Sequence, residues 1–138
     1  MNHLYFIIFT SNLIFSQGWH NHPELDWQTI ETDHFLIHYH EETSRSAQEA
    51  ASISEKIYSP ITSFYEFEPD LKTHIIIQDT DDIANGAAYY YDNKILIWAL
   101  PLDFDLRGSH RWLNNVITHE FTHIVQIGVA MKYPRSFR

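Results

Sequence analysis

His119, Glu120 and His123 stand in the order His-Glu-Phe-Thr-His, and that spacing has a chemical use. Residues four apart on an α-helix lie one turn apart on the same face. Imidazoles at 119 and 123 can therefore aim ring nitrogens at one ion. Zinc accepts two imidazoles and a carboxylate and keeps a fourth position for water. Glu120 is rotated by about 100° from His119 on such a helix, which sets its carboxylate beside that water and outside the ligand shell. A zinc-activated water gives up its proton to Glu120, and the same glutamate can hand it to a leaving amine. The reaction indicated is hydrolysis of a peptide bond. The plainer alternative is a pair of core histidines satisfied by hydrogen bonds. The chain has no cysteine, so any metal site must use imidazole and carboxylate.

The helix that must carry this motif reads from about Arg111 to Val129, with Ser109 as its cap and Gly128 and Pro134 marking its end. Its apolar positions are Leu113, Val116, Ile117, Phe121 and Ile124, a stripe suited to packing on a sheet. Such a mostly dry, rigid helix is what a functional histidine pair needs. Arg107 to Arg138 holds five basic residues and one acid, a local net of +4 against −9 for the whole chain. Positive surroundings disfavour protonation of the histidines and help a metal compete for them.

Upstream, Trp27 to Ile30 reads as a short strand. His34 to His40 alternates, with Phe35, Ile37 and Tyr39 on one face and His34, His38 and His40 on the other. Thr43 or Ser44 caps a helix through Ala47, Ala50, Ala51, Ile53, Ile57 and Tyr58. Pro60 kinks or ends that helix, and a helical continuation runs from Ile61 to Phe67. Lys72 to Gln78 is a buried strand. Ala87 to Tyr91 and Lys94 to Trp98 form a hairpin joined at Asp92-Asn93. The fold expected is α+β: a small mixed β-sheet, a long packed helix, and the motif helix beneath the hairpin edge.

The segment Val116-Ile117-Thr118-His119-Glu120-Phe121-Thr122-His123-Ile124-Val125-Gln126 resembles the active helix of gluzincin peptidases of the peptidase MA-like kind. Such domains often open long exported bacterial proteins and precede a TolB-type β-propeller. Trp27 to Phe35 resembles the opening strand of that domain. Asn85-Gly86-Ala87 resembles the edge that lines the substrate cleft. The resemblance covers about residues 27 to 126. It implies Zn2+ as cofactor, His119 and His123 as ligands, Glu120 as general base, and Asn85, Gly86 and Ala87 at the substrate. It also implies a third ligand, a glutamate on a later helix. No Asp, Glu or His follows His123. The extended pattern HExxHxxGxxH also fails, with Gln126 at the glycine place and Val129 at the third histidine. The chain therefore reads as the N-terminal part of a longer peptidase, with weak zinc binding by itself unless an upstream group such as Glu31 or Asp103 contributes.

Other groups carry weaker signals. His38 and His40 share a strand face and can chelate a metal, though a solvated face is the simpler reading. His20 and His22 read as a polar tail. Asp79, Asp81 and Asp82 hint at a calcium loop but lack the EF-hand order. The edge Ala87 to Tyr91 can pair with a peptide by strand addition.

Composition sets the frame. The chain has 138 residues, 44% of them hydrophobic and 15% aromatic, enough for a packed core. Its acidic balance argues against nucleic acid as a partner; the peptide or protein substrate is what the motif and the peptidase resemblance imply. Leu4 to Phe15 is almost wholly apolar, too short to span a bilayer and suited to an export signal over residues 1–16, with the domain at 17–138. The expected location is periplasmic, outer-membrane-associated or extracellular, with envelope association through downstream domains. The rival function is an exported, non-catalytic metal-binding or scaffold module.

Overall fold

The computed structural model describes residues 22–79, 84–99 and 111–132. Five strands form one mixed sheet: β1 (Gln28–Glu31), β2 (Phe35–Tyr39), β3 (Thr73–Gln78), β4 (Gly86–Tyr89) and β5 (Lys94–Trp98). Among the described residues two helices accompany the sheet, α1 (Ser44–Tyr65) and α2 (Trp112–Lys132). The strand order is β1-β2-β3-β5-β4. The three central strands run parallel, and the outer two pair antiparallel with their neighbours. Among the described residues, no helix is long and apolar enough to cross a membrane.

The alternation of β2 and the apolar runs of β3 and β5 explain the layers. Phe35, Ile37, Ile75, Ile77, Ile95 and Ile97 are fully buried and face the helices. The register places Ile37, Ile75 and Ile95 in one row across the three central strands. Burying each such side chain contributes about 1.5–3 kcal/mol. Helix α1 answers with small residues, Ala47 and Ala50, then Ile53 and Tyr58. It packs chiefly on β2 and on α2, and α2 lies over β4 and β5. Phe121 fixes α2 against this layer, its ring edge-on to Phe35 at 5.1 Å and stacked on Tyr58 at 5.7 Å.

Three local expectations need correction. Helix α1 runs unbroken through Pro60. Proline removes one backbone donor there, but Lys56, Ser59 and Pro60 are all exposed, so water can serve the freed carbonyl. The helix ends at Glu66, left-handed at φ 52°, where the Phe67 N–H reaches back to the Thr62 carbonyl. Strand β4 stops at Tyr89, because Tyr90–Asp92 form a 3-10 turn closed by Asn93 at φ 45°. The hairpin is present, yet Tyr90 and Tyr91 are not strand residues. Gly128 does not end α2, which continues to Lys132. It is buried, and a Cβ there would overlap the ring of Phe67, so this glycine serves close packing. Residues 1–21, Asp81, Asp82, Asp103, Ser109 and Pro134 lie outside the described residues, and the readings that fall on them with them.

Candidate functional site

The buried positions of α2 are Leu113, Val116, Ile117, Glu120, Phe121, Ile124, Val125 and Gly128. Glu120 occupies a place in this stripe that a hydrophobe would normally fill, and it is only 7% exposed. Gly86, the first residue of β4, makes the room. A Cβ at Gly86 would overlap the Val116 Cγ2 methyl and lie 2.9 Å from Glu120 Cγ and 3.0 Å from its Oε1. The edge strand can approach the motif helix this closely only because residue 86 has no side chain.

His119 and His123 sit at the border of the stripe, His119 exposed and His123 half-buried. Their Nε2 atoms are 3.0 Å apart and their rings are edge-on, 4.6 Å between centroids. At that distance one neutral imidazole can donate to the other, the direction depending on tautomer. The same pair can also hold an ion. With zinc–imidazole distances of about 2.0–2.1 Å, a tetrahedral edge is about 3.3 Å, a few tenths of an ångström wider than the pair as it stands. The pair supplies two of the three protein ligands that a catalytic zinc takes, and among the described residues no third metal-ligating side chain joins them. Around the pair lies an open concavity of about 440 Å³ lined by Asn114, Asn115, Thr118, His119, Thr122 and His123. The Thr118 and Thr122 hydroxyls donate to the carbonyls of Asn114 and Thr118, at 2.6 and 2.7 Å, so they are engaged by the helix itself.

Asn85, Gly86 and Ala87 fall where β4 begins. The Asn85 carbonyl accepts from the Trp98 N–H at 3.0 Å, and Gly86 and Ala87 pair with Ile97 and Leu96 of β5. Of the three, Gly86 meets the motif helix. Glu31 does not: it lies on β1, at the far edge of the sheet from β4, and is held 2.6 Å from Lys72 Nζ. The hydrogen bond from Lys72 and its charge hold the Glu31 carboxyl below the ordinary value.

The histidines in and beside β2 differ in exposure, His34 and His38 being half-buried and bonded and His40 buried. His34 stacks on Tyr58 with 3.6 Å between centroids, and its Nδ1 lies 2.7 Å from Glu55 Oε2. His38 bridges Thr29 Oγ1 at 2.9 Å and His74 Nδ1 at 2.8 Å. Burial, then the neighbouring His74, lowers the His38 pKa. His22 lies 2.8 Å from Glu24. Burial raises the Tyr58 hydroxyl, as do the charges of Glu68 and Glu55.

His40 departs furthest from expectation. It is 3% exposed, because it follows the last residue of β2 and the turn that starts α1 folds it inward. The His40 N–H donates to Thr43 Oγ1 and the Thr43 N–H to the His40 carbonyl. Its Nε2 is 3.0 Å from Asp79 Oδ1. Among the described residues, His40, Glu42 and Asp79 are the one group of three metal-ligating side chains whose ligand atoms all lie within 4.8 Å of one another. Glu42 carried no signal in the sequence. The available hint was topological, since parallel strands joined by a helix bring their C-terminal ends side by side.

No family model, no curated protein and no solved structure matches this chain.

Proposed function

We propose that this protein is a zinc-dependent metallopeptidase, acting on peptide or protein substrates outside the cytoplasm. The observation that carries the reading is the meeting of His119 and His123 Nε2 at 3.0 Å one residue from a carboxylate held in the packed face of the same helix. His119 and His123 would hold the ion, with a third protein ligand still to be identified. When bound, zinc supplies Lewis acidity toward a carbonyl oxygen and lowers the pKa of a water molecule. Glu120 accepts the proton of the attacking water and returns it to the leaving amine nitrogen. Gly86 keeps the edge strand close to Glu120, and the side of β4 left unpaired among the described residues offers backbone donors and acceptors to an extended peptide. Export is supported by the apolar run Leu4 to Phe15.

The test is Glu120→Gln in the full-length protein, with peptide cleavage and bound zinc both measured. Loss of cleavage with zinc retained is expected. Persisting cleavage rules out Glu120 as the base. Bound zinc with no cleavage in the unaltered protein leaves the exported, non-catalytic module as the better reading.

A further inference from the structure

We propose that His40, Glu42 and Asp79 form a second metal site, for a divalent first-row transition ion, where β2 passes into α1. The site shares no residue with α2 and does not rest on the reading of His119 and His123.

The chain's own topology builds it. Strands β2 and β3 are parallel neighbours, with Phe35 to His38 paired to Thr73 to Ile76. His40 and Asp79 come directly after the last turns of these two strands, so they emerge side by side at the C-terminal end of the sheet. Open sheets with parallel strands commonly bind ligands at that end. The 3-10 turn Glu41–Thr43 then brings Glu42 back toward the same point. Trp27 stands edge-on to the His40 ring at 5.7 Å and 84°, which restrains its orientation.

The independent observation is the state of His40 Nε2. It is buried and has no hydrogen-bond partner among the described residues, although Asp79 Oδ1 lies only 3.0 Å away. The atoms touch without the alignment of a hydrogen bond. An unsatisfied buried polar atom costs about 1–3 kcal/mol, so the arrangement needs a further partner. On a tetrahedral zinc, two ligands about 2.1 Å from the ion lie about 3.4 Å apart, a few tenths of an ångström wider than His40 Nε2 and Asp79 Oδ1 as they stand. A cation facing both atoms satisfies the imidazole and the carboxylate together, with Glu42 as the third donor.

The donors define the class of ion. One imidazole with two carboxylates suits zinc, manganese or iron(II), whereas calcium prefers oxygen ligands throughout. The bound ion would pin the end of β2 to the end of β3 at the start of α1.

The experiment uses the full chain carrying His119→Ala and His123→Ala, so that the helix pair cannot bind. Zinc is the probe, calcium the counter-probe, and equilibrium dialysis with elemental analysis the readout. One zinc per chain is expected, without matching calcium binding. Asp79→Asn and Glu42→Gln should each weaken zinc binding by at least about tenfold. Zinc should also raise the melting temperature of the background chain, and not that of the chain bearing both added changes. Glu42 is exposed, so Glu42→Gln decides the matter even if Asp79→Asn fails to fold. Absence of zinc in the background chain overturns the proposal, as does zinc affinity that both substitutions leave unchanged.

Discussion

Gly86 and Glu120 are in mutual contact range only because one of them lacks a side chain: a Cβ on Gly86 would stand 3.0 Å from Glu120 Oε1. Gly86→Ala should therefore destabilise the fold by about 1–3 kcal/mol, the usual cost of overpacking. The obstruction comes from the Val116 methyl and the Glu120 stem on a buried helix face, and neither can swing aside. A lowered urea midpoint measures the effect. An unchanged midpoint would show that β4 and α2 are less closely packed than described.

Gly128→Ala makes the opposite test. The added methyl would meet the outer ring atoms of Phe67, which can rotate away. Alanine also gains about 0.8–1 kcal/mol of helix propensity over glycine. These terms nearly offset each other, so Gly128→Ala should cost clearly less than Gly86→Ala in the same denaturation series. The reverse ranking would contradict the assignment of which neighbour yields.

Asn93 ties the hairpin to the start of β3. Its Oδ1 accepts from the Thr73 hydroxyl at 2.9 Å, and its Nδ2 donates to the carbonyls of Leu71 and Lys72. Its backbone is left-handed at φ 45°. Asn93→Ala loses these bonds and adds backbone strain of about 1–2 kcal/mol, so a total near 2–3 kcal/mol is expected. Asn93→Gly loses the bonds but not the backbone conformation, and should cost less. Equal costs by thermal melting would remove the left-handed turn as a factor.

Glu55 supplies a pH test. Burial raises its carboxyl pKa, but hydrogen bonds from Thr32 and His34 and the nearby His34 ring lower it further, for a net depression. A carboxyl depressed in the folded state stabilises the protein above its unfolded pKa, about 4.3. That contribution is lost as pH falls through the folded value. Urea midpoints measured at pH 6 and pH 3 should fall less in Glu55→Gln than in the unaltered protein. Equal falls would mean the carboxylate gains nothing from these partners.

The sequence pattern made the layers legible, because Phe35, Ile37 and Tyr39 alternate along β2 while β3 and β5 carry the continuous apolar runs Ile75-Ile76-Ile77 and Ile95-Leu96-Ile97 of central strands. It also located α2 through Leu113, Val116, Ile117, Phe121 and Ile124. Boundaries failed where a residue serves tertiary packing and local conformation suggests something else. Gly128 reads as a stop but seats Phe67, and Tyr90 reads as strand but enters a turn that Asn93 closes. The candidate site followed the same division. The i, i+4 histidine pair is a local relation and was visible at once. The inward turn of His40 and its meeting with Asp79 depend on the parallel pairing of β2 with β3, which periodicity along one strand does not encode.

The order of elements has a consequence for biosynthesis. Every described strand is complete at Trp98, before any residue of α2 exists on a chain made from its N-terminus. From residue 98 to the end of α2 at residue 132 takes about 2–7 s at roughly 5–20 residues per second. During that interval Ile95 and Ile97 lack the helix that covers them. The segment bearing His119 and His123 thus follows every described strand and covers Ile95 and Ile97 as it docks. Lesions in its apolar stripe should first reduce the yield of folded chain, through surface that other nascent chains can meet, and only afterwards touch chemistry.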